Sequence, residues 1–301
     1  MNTNKKNLTI NVRGRLMDFG RPRVMGIVNA TPDSFYAGSR CSDATSAADR
    51  AAEMLSQGAD MIDLGACSTR PGASMPTAAE EWERLDAALS EIRARFPDVI
   101  ISIDTFRADV ARKSIERWNA DIINDISGGD MDPEMWGVVA EAGVPYVAMH
   151  TRGNPDTMTS LTDYEDVTAT VLQDLARKLD GLHQAGVADV IIDPGFGFAK
   201  TVDQNFELLA RLEVFSTLNA PLLAGVSRKT MIWKKLGITP AEALNGTTAI
   251  NTMALMKGAD ILRVHDVKEA AECVSLFMAL RRNSPVCPNT IDTFTQTSIL
   301  K

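Results

Sequence analysis

Residues 190–200 join a short apolar run to a turn that contains one proline and two glycines. Asp193 stands where the run ends, as in a buried parallel strand whose tip carries a functional group. The turn residues permit tight backbone angles beside a ligand, so we expect Phe198 and Lys200 to present an apolar face and a cation above the sheet. The alternative is a turn that only leads into the next helix.

The same arrangement recurs along the chain, because further apolar runs also end in polar residues. A buried polar group without a partner costs about 1 to 3 kcal/mol, so many such groups on one rim predict a ligand that pairs with them. The polar residues at the other run ends are Asn29, Asp63, Asp104 with Thr105, Asn124 with Asp125, His150 with Arg152, Ser227 with Arg228 and Lys229, and Arg263 with His265 and Asp266.

Two carboxylates and an amide in this set suit a flat nitrogen heterocycle. Asp104 and Asp193 accept hydrogen bonds when ionised, whereas the amide of Asn124 both donates and accepts. A ring that carries N–H and amino groups satisfies all three side chains, so these residues predict a pocket for such a ring.

A second group of side chains suits a diphosphate. Lys229, Arg263 and His265 supply cationic donors for phosphate oxygens, and the amide oxygen of Asn29 is a ligand of the kind that Mg²⁺ prefers. The sequence shows no Ser-His-Asp order and no activated cysteine that would indicate a nucleophile. These residues predict a site that binds a polar ring and releases a phosphorylated leaving group.

Several of these residues also have simpler interpretations. Asp33, Asp63 and Asp125 can serve as helix caps or turn residues. His150 ends a predicted strand and can reach the site, whereas His183 lies inside a helical segment and is expected to pack at the surface.

The elements that must position these side chains alternate between strand and helix. Roughly eight strand-then-helix units, without a composition shift or a linker between them, predict a single (β/α)8 barrel, with a doubly wound open sheet as the alternative. Barrel enzymes carry their active sites on the loops at the carboxyl ends of the strands. The predicted strands are 24–29, 61–65, 100–104, 122–126, 145–150, 190–193, 222–226 and 261–264, and examples of the helices are 44–57, 78–95, 108–118, 163–184 and 241–257.

The two ends of the chain depart from this alternation. Residues 8–19 alternate apolar and polar side chains around an Arg-Gly-Arg turn, which predicts a hairpin that plugs the bottom of the barrel. Residues 283–301 are polar, contain two prolines and show little periodicity. We therefore expect one domain over residues 1–282 and a poorly ordered tail after it.

Composition narrows the class of protein. The chain has 301 residues, of which 45% are hydrophobic, and a formal net charge of -8, which argues against a nucleic-acid-binding surface as the main function. Its four cysteines form no CxxC or His-Cys cluster, so we expect neither a zinc site nor a disulfide frame, and a cytoplasmic location fits best. No apolar run approaches the length of a membrane span, and the first residues lack the apolar core of a signal peptide.

From about Arg23 to Arg281 the chain resembles the dihydropteroate synthase family. Any one motif is weak evidence, but eight in the same order are strong. They are Asn29-Ala-Thr-Pro-Asp-Ser-Phe35, Ser68-Thr-Arg-Pro-Gly-Ala73, Ser102-Ile-Asp-Thr105, Ile123-Asn-Asp125, Met149-His150, Asp193-Pro-Gly-Phe-Gly-Phe198, Ser227-Arg-Lys229 and Arg263-Val-His-Asp-Val267.

The resemblance implies an activity and partners. It implies that p-aminobenzoate is joined to 6-hydroxymethyl-7,8-dihydropterin diphosphate, which gives 7,8-dihydropteroate and pyrophosphate in folate synthesis. It also implies the barrel fold, Mg²⁺ as cofactor, a homodimer packed through the later barrel helices, and sulfonamides as competitors of p-aminobenzoate. Two other functions remain open: a pterin-dependent methyltransferase and a non-catalytic pterin-binding paralogue.

Residue by residue, the resemblance implies three subsites and a catalytic group. The carbon–oxygen bond breaks before the amine attacks, and Asp104 would stabilise the resulting cation. The pterin would be held by Asp104, Asn124, Met149, Asp193, Phe198 and Lys229, and the diphosphate with its metal by Asn29, Arg263 and His265. The p-aminobenzoate pocket would include Phe35, Ser68, Thr69, Pro71, Phe198, Ser227 and Lys229, and the catalytic group would comprise Asp104, Asp33, Arg70 and Lys229.

The sequence departs from the family pattern just before the second loop. Ala66 and Cys67 stand where the family usually has glycine and glutamate. The loss of this carboxylate is expected to alter the hinge or the charge balance of that loop.

Overall fold

The computed structural model describes residues 8–30, 44–67 and 75–283. The strands in these ranges are β1 (Thr9–Val12), β2 (Arg15–Asp18), β3 (Arg23–Asn29), β4 (Met61–Gly65), β5 (Ile101–Asp104), β6 (Ile122–Asp125), β7 (Tyr146–Met149), β8 (Val190–Asp193), β9 (Leu223–Ala224) and β10 (Ile261–Val264). The α-helices are α1 (Ala44–Ser56), α2 (Ala78–Arg95), α3 (Ala108–Trp118), α4 (Met135–Ala142), α5 (Val167–Gln184), α6 (Val202–Ala210), α7 (Thr230–Leu236), α8 (Leu244–Met256) and α9 (Val267–Asn283).

Strands β3 to β10 form one parallel sheet in the order β8-β7-β6-β5-β4-β3-β10-β9. The sheet closes between β8 and β9, where Ile192 bridges to Leu222 and its N–H donates to the Pro221 carbonyl at 2.9 Å. The predicted (β/α)8 barrel is therefore confirmed, and the doubly wound open sheet is excluded because an open sheet has no such closure.

Alternate residues of each strand point into the barrel, and this period of two separates a lower apolar layer from an upper polar layer. The lower layer packs as one cluster, which includes Met61, Ile122, Ile191 and Ile261. Two positions further along the same strands stand Asp63, Asn124, Asp193 and Arg263. The strand pattern thus supports the site on an apolar floor.

The predicted hairpin is present as β1 and β2, which pair antiparallel. Ile10, Val12 and Phe19 are almost fully buried and belong to the same cluster as the lower barrel layer. The hairpin therefore fills the amino end of the barrel with apolar side chains, as the alternation in residues 8–19 predicted.

Two predicted helices begin later than periodicity indicated. The predicted helix 163–184 starts at Val167, because Asp166 caps it by accepting the Ala169 N–H at 2.8 Å. The predicted helix 241–257 is divided into a 3-10 turn at Pro240–Glu242 and the helix α8. The tail beyond residue 283 lies outside the described residues, and within the described ranges no helix is long and apolar enough to span a membrane.

Candidate active site

A small inner cavity lies at the carboxyl ends of the barrel strands. All six side chains assigned to a pterin line it: Asp104, Asn124, Met149, Asp193, Phe198 and Lys229. Arg263 and Gly225 also border this cavity. The structure thus brings together residues that are spread over five strands and two loops, and their role in pterin binding stays a prediction.

A group of ion pairs centred on Arg263 lies at the bottom of the site. Its Nε donates to Asp63 Oδ2 at 2.6 Å and its Nη2 donates to Asp104 Oδ2 at 2.5 Å. Asp63 is fully buried and also accepts hydrogen bonds from Ser102 Oγ at 2.5 Å and Asn124 Nδ2 at 3.0 Å. Asp63 is therefore neither a cap nor a turn residue, but the anchor that orients Arg263 and Asn124.

The pKa values of Asp104 and Arg263 in these ion pairs are shifted by different causes. Burial raises the pKa of Asp104 to about 7, the Arg263 guanidinium opposes the rise, and the Asp63 carboxylate adds to it. Burial alone would lower the pKa of Arg263, but the carboxylates of Asp63 and Asp104 raise it above its ordinary value. Arg263 therefore remains charged at neutral pH, whereas Asp104 titrates there.

Asp193 ends β8 and is held by the turn that follows it. Its Oδ1 accepts the Gly195 N–H at 2.8 Å, which leaves the other oxygen for a ligand. Burial raises the pKa of Asp193, although this N–H and the Lys229 ammonium oppose the rise. Gly195 has φ 72°, and a side chain there would collide with the His150 carbonyl. Glycine is thus required where this loop approaches β7.

Lys229 and Phe198 form the boundary between the inner cavity and a larger outer one. The Lys229 Nζ lies 4.2 Å from the centroid of the Phe198 ring, a cation–π contact. Both residues line both cavities. Burial lowers the pKa of Lys229 to about 8, against the opposing effect of the Asp193 carboxylate.

The outer cavity has a volume of about 610 Å³ and is lined by Asn29, Ser227, Arg263 and His265, among others. Ser227 Oγ lies 3.1 Å from His265 Nδ1 and accepts the His265 backbone N–H at 3.2 Å. The predicted diphosphate residues therefore share one wall of this cavity.

His265 differs from the prediction in its charge. Burial lowers its pKa to about 3, and the nearby cations Arg263 and Arg228 lower it further. At neutral pH the imidazole is therefore uncharged in the free site, whereas the residue type had predicted a cationic donor. A neutral ring still offers one N–H to a phosphate oxygen.

Arg228 supports the site from behind. It adopts φ 52° and forms a bidentate pair with Asp266, through Nε at 2.9 Å and Nη2 at 2.8 Å. Its Nη1 donates to the carbonyls of Pro240 at 2.8 Å and Ala241 at 2.7 Å. These contacts hold the strained backbone that places Ser227 and Lys229 on either side.

Three other predicted residues do not line the inner cavity. His150 is 2% exposed and its Nδ1 lies 3.0 Å from Lys200 Nζ, so it contacts the loop and not the site. The Lys200 ammonium turns into its own loop, contrary to the expectation that it would point above the sheet. Asp125 is a turn residue, as one interpretation proposed, because it accepts the N–H groups of Ser127 and Gly129.

The two loops expected to cover the site lie largely outside the described residues, and their assignments stay predictions: Asp33, Phe35, Ser68, Thr69, Arg70 and Pro71. Cys67, at the start of the second loop, lines the outer cavity, and its Sγ lies 3.4 Å from Met75 Sδ. Burial raises the pKa of Cys67 to about 12 and the Glu81 carboxylate adds to the rise. The thiol is therefore a neutral, apolar wall element.

The prediction also missed residues that reach the site from helices. Arg50 on α1 donates from Nη2 to the His265 carbonyl at 2.8 Å. Glu81 on α2 is buried, pairs with Arg107 and accepts the Thr105 hydroxyl at 2.7 Å, next to Asp104. An arginine or a glutamate within an amphipathic helix carries no sequence signal for such contacts, because most of them are solvated.

Comparisons with known proteins agree with this geometry. The family model described as pterin binding enzyme matches residues 25–265. The dihydropteroate synthase of Escherichia coli is 42% identical over 269 residues, which cover 89% of this chain and 94% of that protein. The structure of Yersinia pestis dihydropteroate synthase in a sulfonamide drug complex has a TM-score of 0.87 and 37% identity, and the match covers 91% of this chain and 100% of that chain.

A further solved structure supports the same assignment. Xanthomonas albilineans dihydropteroate synthase with 4-aminobenzoic acid has a TM-score of 0.84 and 34% identity over 93% of this chain and 100% of that chain. Identities of 34% to 42% and coverage of 89% to 93% of this chain point the same way. The chain belongs to the dihydropteroate synthase family of pterin-binding enzymes.

Proposed function

We propose that this chain joins p-aminobenzoate to 6-hydroxymethyl-7,8-dihydropterin diphosphate, which yields 7,8-dihydropteroate and pyrophosphate. The observation that carries the proposal is the inner cavity, where two carboxylates, an amide and a lysine converge beside the Phe198 ring. In a member of this family, that set of groups supports the pterin half of the reaction.

The inner cavity would hold the heterocycle by its edge. The Asp193 oxygen that the Gly195 N–H leaves unused accepts ring N–H or amino groups, and Asn124 is oriented for a similar contact by its hydrogen bond to Asp63. Met149 and Phe198 provide apolar surfaces for such a ring. This arrangement orients the ring so that its methylene group faces the outer cavity.

Asp104 supplies the charge that the bond-breaking step needs. When the carbon–oxygen bond to the diphosphate breaks, positive charge develops on the methylene carbon and the bonding electrons leave with pyrophosphate. An ionised Asp104 stabilises that cation. Arg263 contacts Asp104 and also lines the outer cavity, so it can exchange this carboxylate for a diphosphate oxygen.

The residues present fit a Mg²⁺ ion that is held mainly by the substrate. In the described ranges no three His, Cys, Asp or Glu side chains converge as a metal site, whereas Asn29 places an amide group on the outer cavity. Mg²⁺ often takes one or two protein oxygens and the oxygens of a substrate phosphate. Asn29 would hold the ion, which would neutralise charge on the departing diphosphate.

The outer cavity would take the amine substrate. Phe198, Ser227 and Lys229 line it and offer a flat apolar surface, a hydroxyl and a cation for a benzoate. Phe35, Ser68, Thr69 and Pro71 would complete this pocket, with Asp33 and Arg70 acting from the covering loops. Sulfonamides would compete there, because they share the aniline ring and place polar oxygens near the position of the carboxylate.

We extend the proposal to a homodimer and a cytoplasmic location. Large apolar side chains are exposed on the last three helices, namely Leu236 on α7, Met253 and Met256 on α8, and Leu276 and Leu280 on α9. A second copy that covers this face would remove it from water. Cys67 and Cys273 are free thiols, as in a reducing compartment.

The decisive experiment incubates the purified protein with the pterin diphosphate, p-aminobenzoate and Mg²⁺, and measures dihydropteroate and pyrophosphate in equal amounts. Omission of the amine tests whether pyrophosphate release depends on it. A methyl-transfer assay with methyltetrahydrofolate runs in parallel. The absence of dihydropteroate with intact pterin binding would contradict the proposal and favour a non-catalytic pterin-binding protein.

A further inference from the structure

The loop after β8 contains three residues with left-handed backbone angles in alternation. They are Gly195 at φ 72°, Gly197 at φ 81° and Ala199 at φ 48°. Glycine adopts such angles without steric cost, whereas alanine does so only when its surroundings impose the angle. Ala199 therefore needs an external constraint, and the constraint must come from contacts that the loop makes.

Lys200 provides such contacts with its whole ammonium group. Its Nζ donates to the Gly195 carbonyl at 2.9 Å and the Phe198 carbonyl at 3.1 Å, and it lies 3.0 Å from His150 Nδ1. The two carbonyls therefore fix the position of the Lys200 side-chain nitrogen within the loop, and the His150 ring lies beside it. Lys200 is only 9% exposed, and burial lowers its pKa to about 7. Its hydrogen bonds close its own loop around residues 195–198, and its contact with His150 joins the loop to the end of β7.

A second tie holds the same loop from α6. The buried Asn205 accepts the Gly197 N–H at 2.7 Å through Oδ1, and its Nδ2 donates to the Thr201 carbonyl at 2.6 Å. The contacts of Lys200 and Asn205 therefore fix the backbone on both sides of Ala199 along the chain. Lys200 fixes the carbonyls of the loop and Asn205 fixes an N–H group.

The contacts of Lys200 and Asn205, which together clamp the loop, extend to the boundary between the two cavities. The Phe198 carbonyl accepts a hydrogen bond from Lys200, and the Lys229 ammonium lies over the Phe198 ring. Gly197 leaves so little space that an added Cβ would lie 2.9 Å from Lys229 Cδ. A change of angle at Ala199 would therefore move Phe198 and remove the surface against which Lys229 rests.

We propose that Lys200 is a positioning residue of the pterin site: its ammonium holds Ala199 in the left-handed conformation and thereby sets Phe198 and Lys229 at the boundary between the cavities. Lys200 does not touch the reacting atoms in this scheme. The inference deepens the proposed function, because it specifies what keeps that site in shape.

The test combines the loss of the clamp with the removal of the strain that it opposes. Lys200→Met deletes the three contacts and lets Ala199 relax, so pterin-alcohol affinity in calorimetry is expected to fall about tenfold or more. Glycine at position 199 tolerates the left-handed angle, so the double variant Ala199→Gly/Lys200→Met is expected to recover affinity to within about threefold of the parent. Ala199→Gly alone is the matched control.

Kinetics give a second readout. The KM for the pterin diphosphate is expected to rise with kcat falling less, and the double variant should reverse the rise. A loss confined to kcat, without rescue by glycine, would overturn the proposal, because it would mean that the lysine acts through its charge or its proton. Unchanged affinity in Lys200→Met would overturn it equally. If Lys200→Met fails to fold, Lys200→Gln with and without Ala199→Gly makes the same comparison.

The calorimetric arm separates this inference from the proposed function. Pterin-alcohol binding needs no turnover, so it tests the clamp even in a protein that makes no dihydropteroate. Failure of synthesis in the parent protein, with the rescue pattern intact in binding, would contradict the proposed reaction and leave the role of Lys200 standing.

Discussion

At the amino ends of the strands, three aspartates each accept a backbone N–H near the start of a neighbouring strand. Asp60 accepts from Val24 at 2.8 Å, Asp121 from Ile101 at 2.8 Å and Asp260 from Leu222 at 3.0 Å. At the carboxyl ends the carboxylates of Asp104 and Asp193 line a cavity instead. The first set pairs with backbone N–H groups and, at Asp60 and Asp121, also with arginine side chains, whereas the second keeps acceptor capacity for a ligand.

The two sets are linked by a fixed spacing on individual strands. Three positions separate the lower carboxylate from the upper polar group in the pairs Asp60 and Asp63, Asp121 and Asn124, and Asp260 and Arg263. The two apolar residues between them pack within the barrel or against its helices. Each of these strands therefore contributes to stability at its amino end and to ligand binding at its carboxyl end, so the two functions should be separable by mutation.

The largest effect is expected at the lower end. Asp121→Ala removes the partner of Arg93 (2.9 Å) and of Arg13 (2.9 Å) and leaves the Ile101 N–H unpaired. Because it breaks a buried charge pair, it should lower the free energy of unfolding by about 3 to 5 kcal/mol. Urea denaturation measures this, with Asp98→Asn on the exposed surface nearby as the control. A comparable loss of kcat in the folded protein would contradict the separation of stability at the amino ends from ligand binding at the carboxyl ends.

The next effect is expected at the upper end. Asp104→Asn keeps the shape of the side chain but removes the charge that stabilises the cation, so kcat should fall about a hundredfold, or about 3 kcal/mol. The free energy of unfolding should change much less than in Asp121→Ala. Steady-state kinetics measures kcat, and pterin-alcohol calorimetry measures whether the ring still binds. Near-normal turnover would remove Asp104 from the mechanism.

A smaller effect should follow from pH. Burial raises the pKa of Asp104 to about 7, so its carboxylate is charged above this pH and protonated below it. Because the ring donors need a charged acceptor, pterin-alcohol affinity should rise with pH through 7 and fall by up to about tenfold per unit below it. Calorimetry between pH 5.5 and 7.5 tests the sign, and a pterin alcohol avoids the titration of a diphosphate. The rise should be smaller in the Asp104→Asn variant than in the parent. A flat profile in the parent, or an equal rise in both proteins, would contradict the prediction.

The smallest effect is expected at Arg50. Arg50→Ala deletes the hydrogen bond to the His265 carbonyl and one positive charge near the diphosphate end, so pyrophosphate affinity should fall about threefold to tenfold. Pterin-alcohol affinity should stay within about twofold. Glu53→Ala breaks the exposed pair of Arg50 with Glu53 and a surface hydrogen bond from Gln57, keeps the contact of Arg50 with His265, and serves as the matched control. Equal losses for both ligands would place Arg50 in the general framework of the barrel.

The sequence allowed prediction of the fold and of which side chains share the inner cavity. The reason is geometric: residues at the carboxyl ends of parallel strands must meet at one end of a barrel, whatever their separation in the chain. Asp104, Asn124 and Asp193 could therefore be grouped from strand ends alone. The small inner cavity that they share confirms the grouping.

The partners of these residues could not be predicted. Asp63 on β4 and Arg263 on β10 pair over the intervening strand β3 although 200 positions separate them, and no periodicity encodes which inward side chains touch. Lys200 turns into its loop, where the Gly195 and Phe198 carbonyls accept its hydrogen bonds, and the placement of these carbonyls depends on the backbone angles after Asp193. The uncharged state of His265 follows from its own burial and from the charges of four nearby cations, a collective property that residue type alone does not carry.

The hairpin that fills the amino end of the barrel has a consequence for the order of synthesis. Its apolar side chains Ile10, Val12 and Phe19 pack in one cluster with Ile261, which leaves the ribosome long after them. The segment made early thus has no complete binding surface until the last barrel strand has emerged. During that interval the apolar side chains of the hairpin stay exposed and accessible to chaperones. We expect the last strand to close the barrel and to complete the burial of the hairpin at the same time.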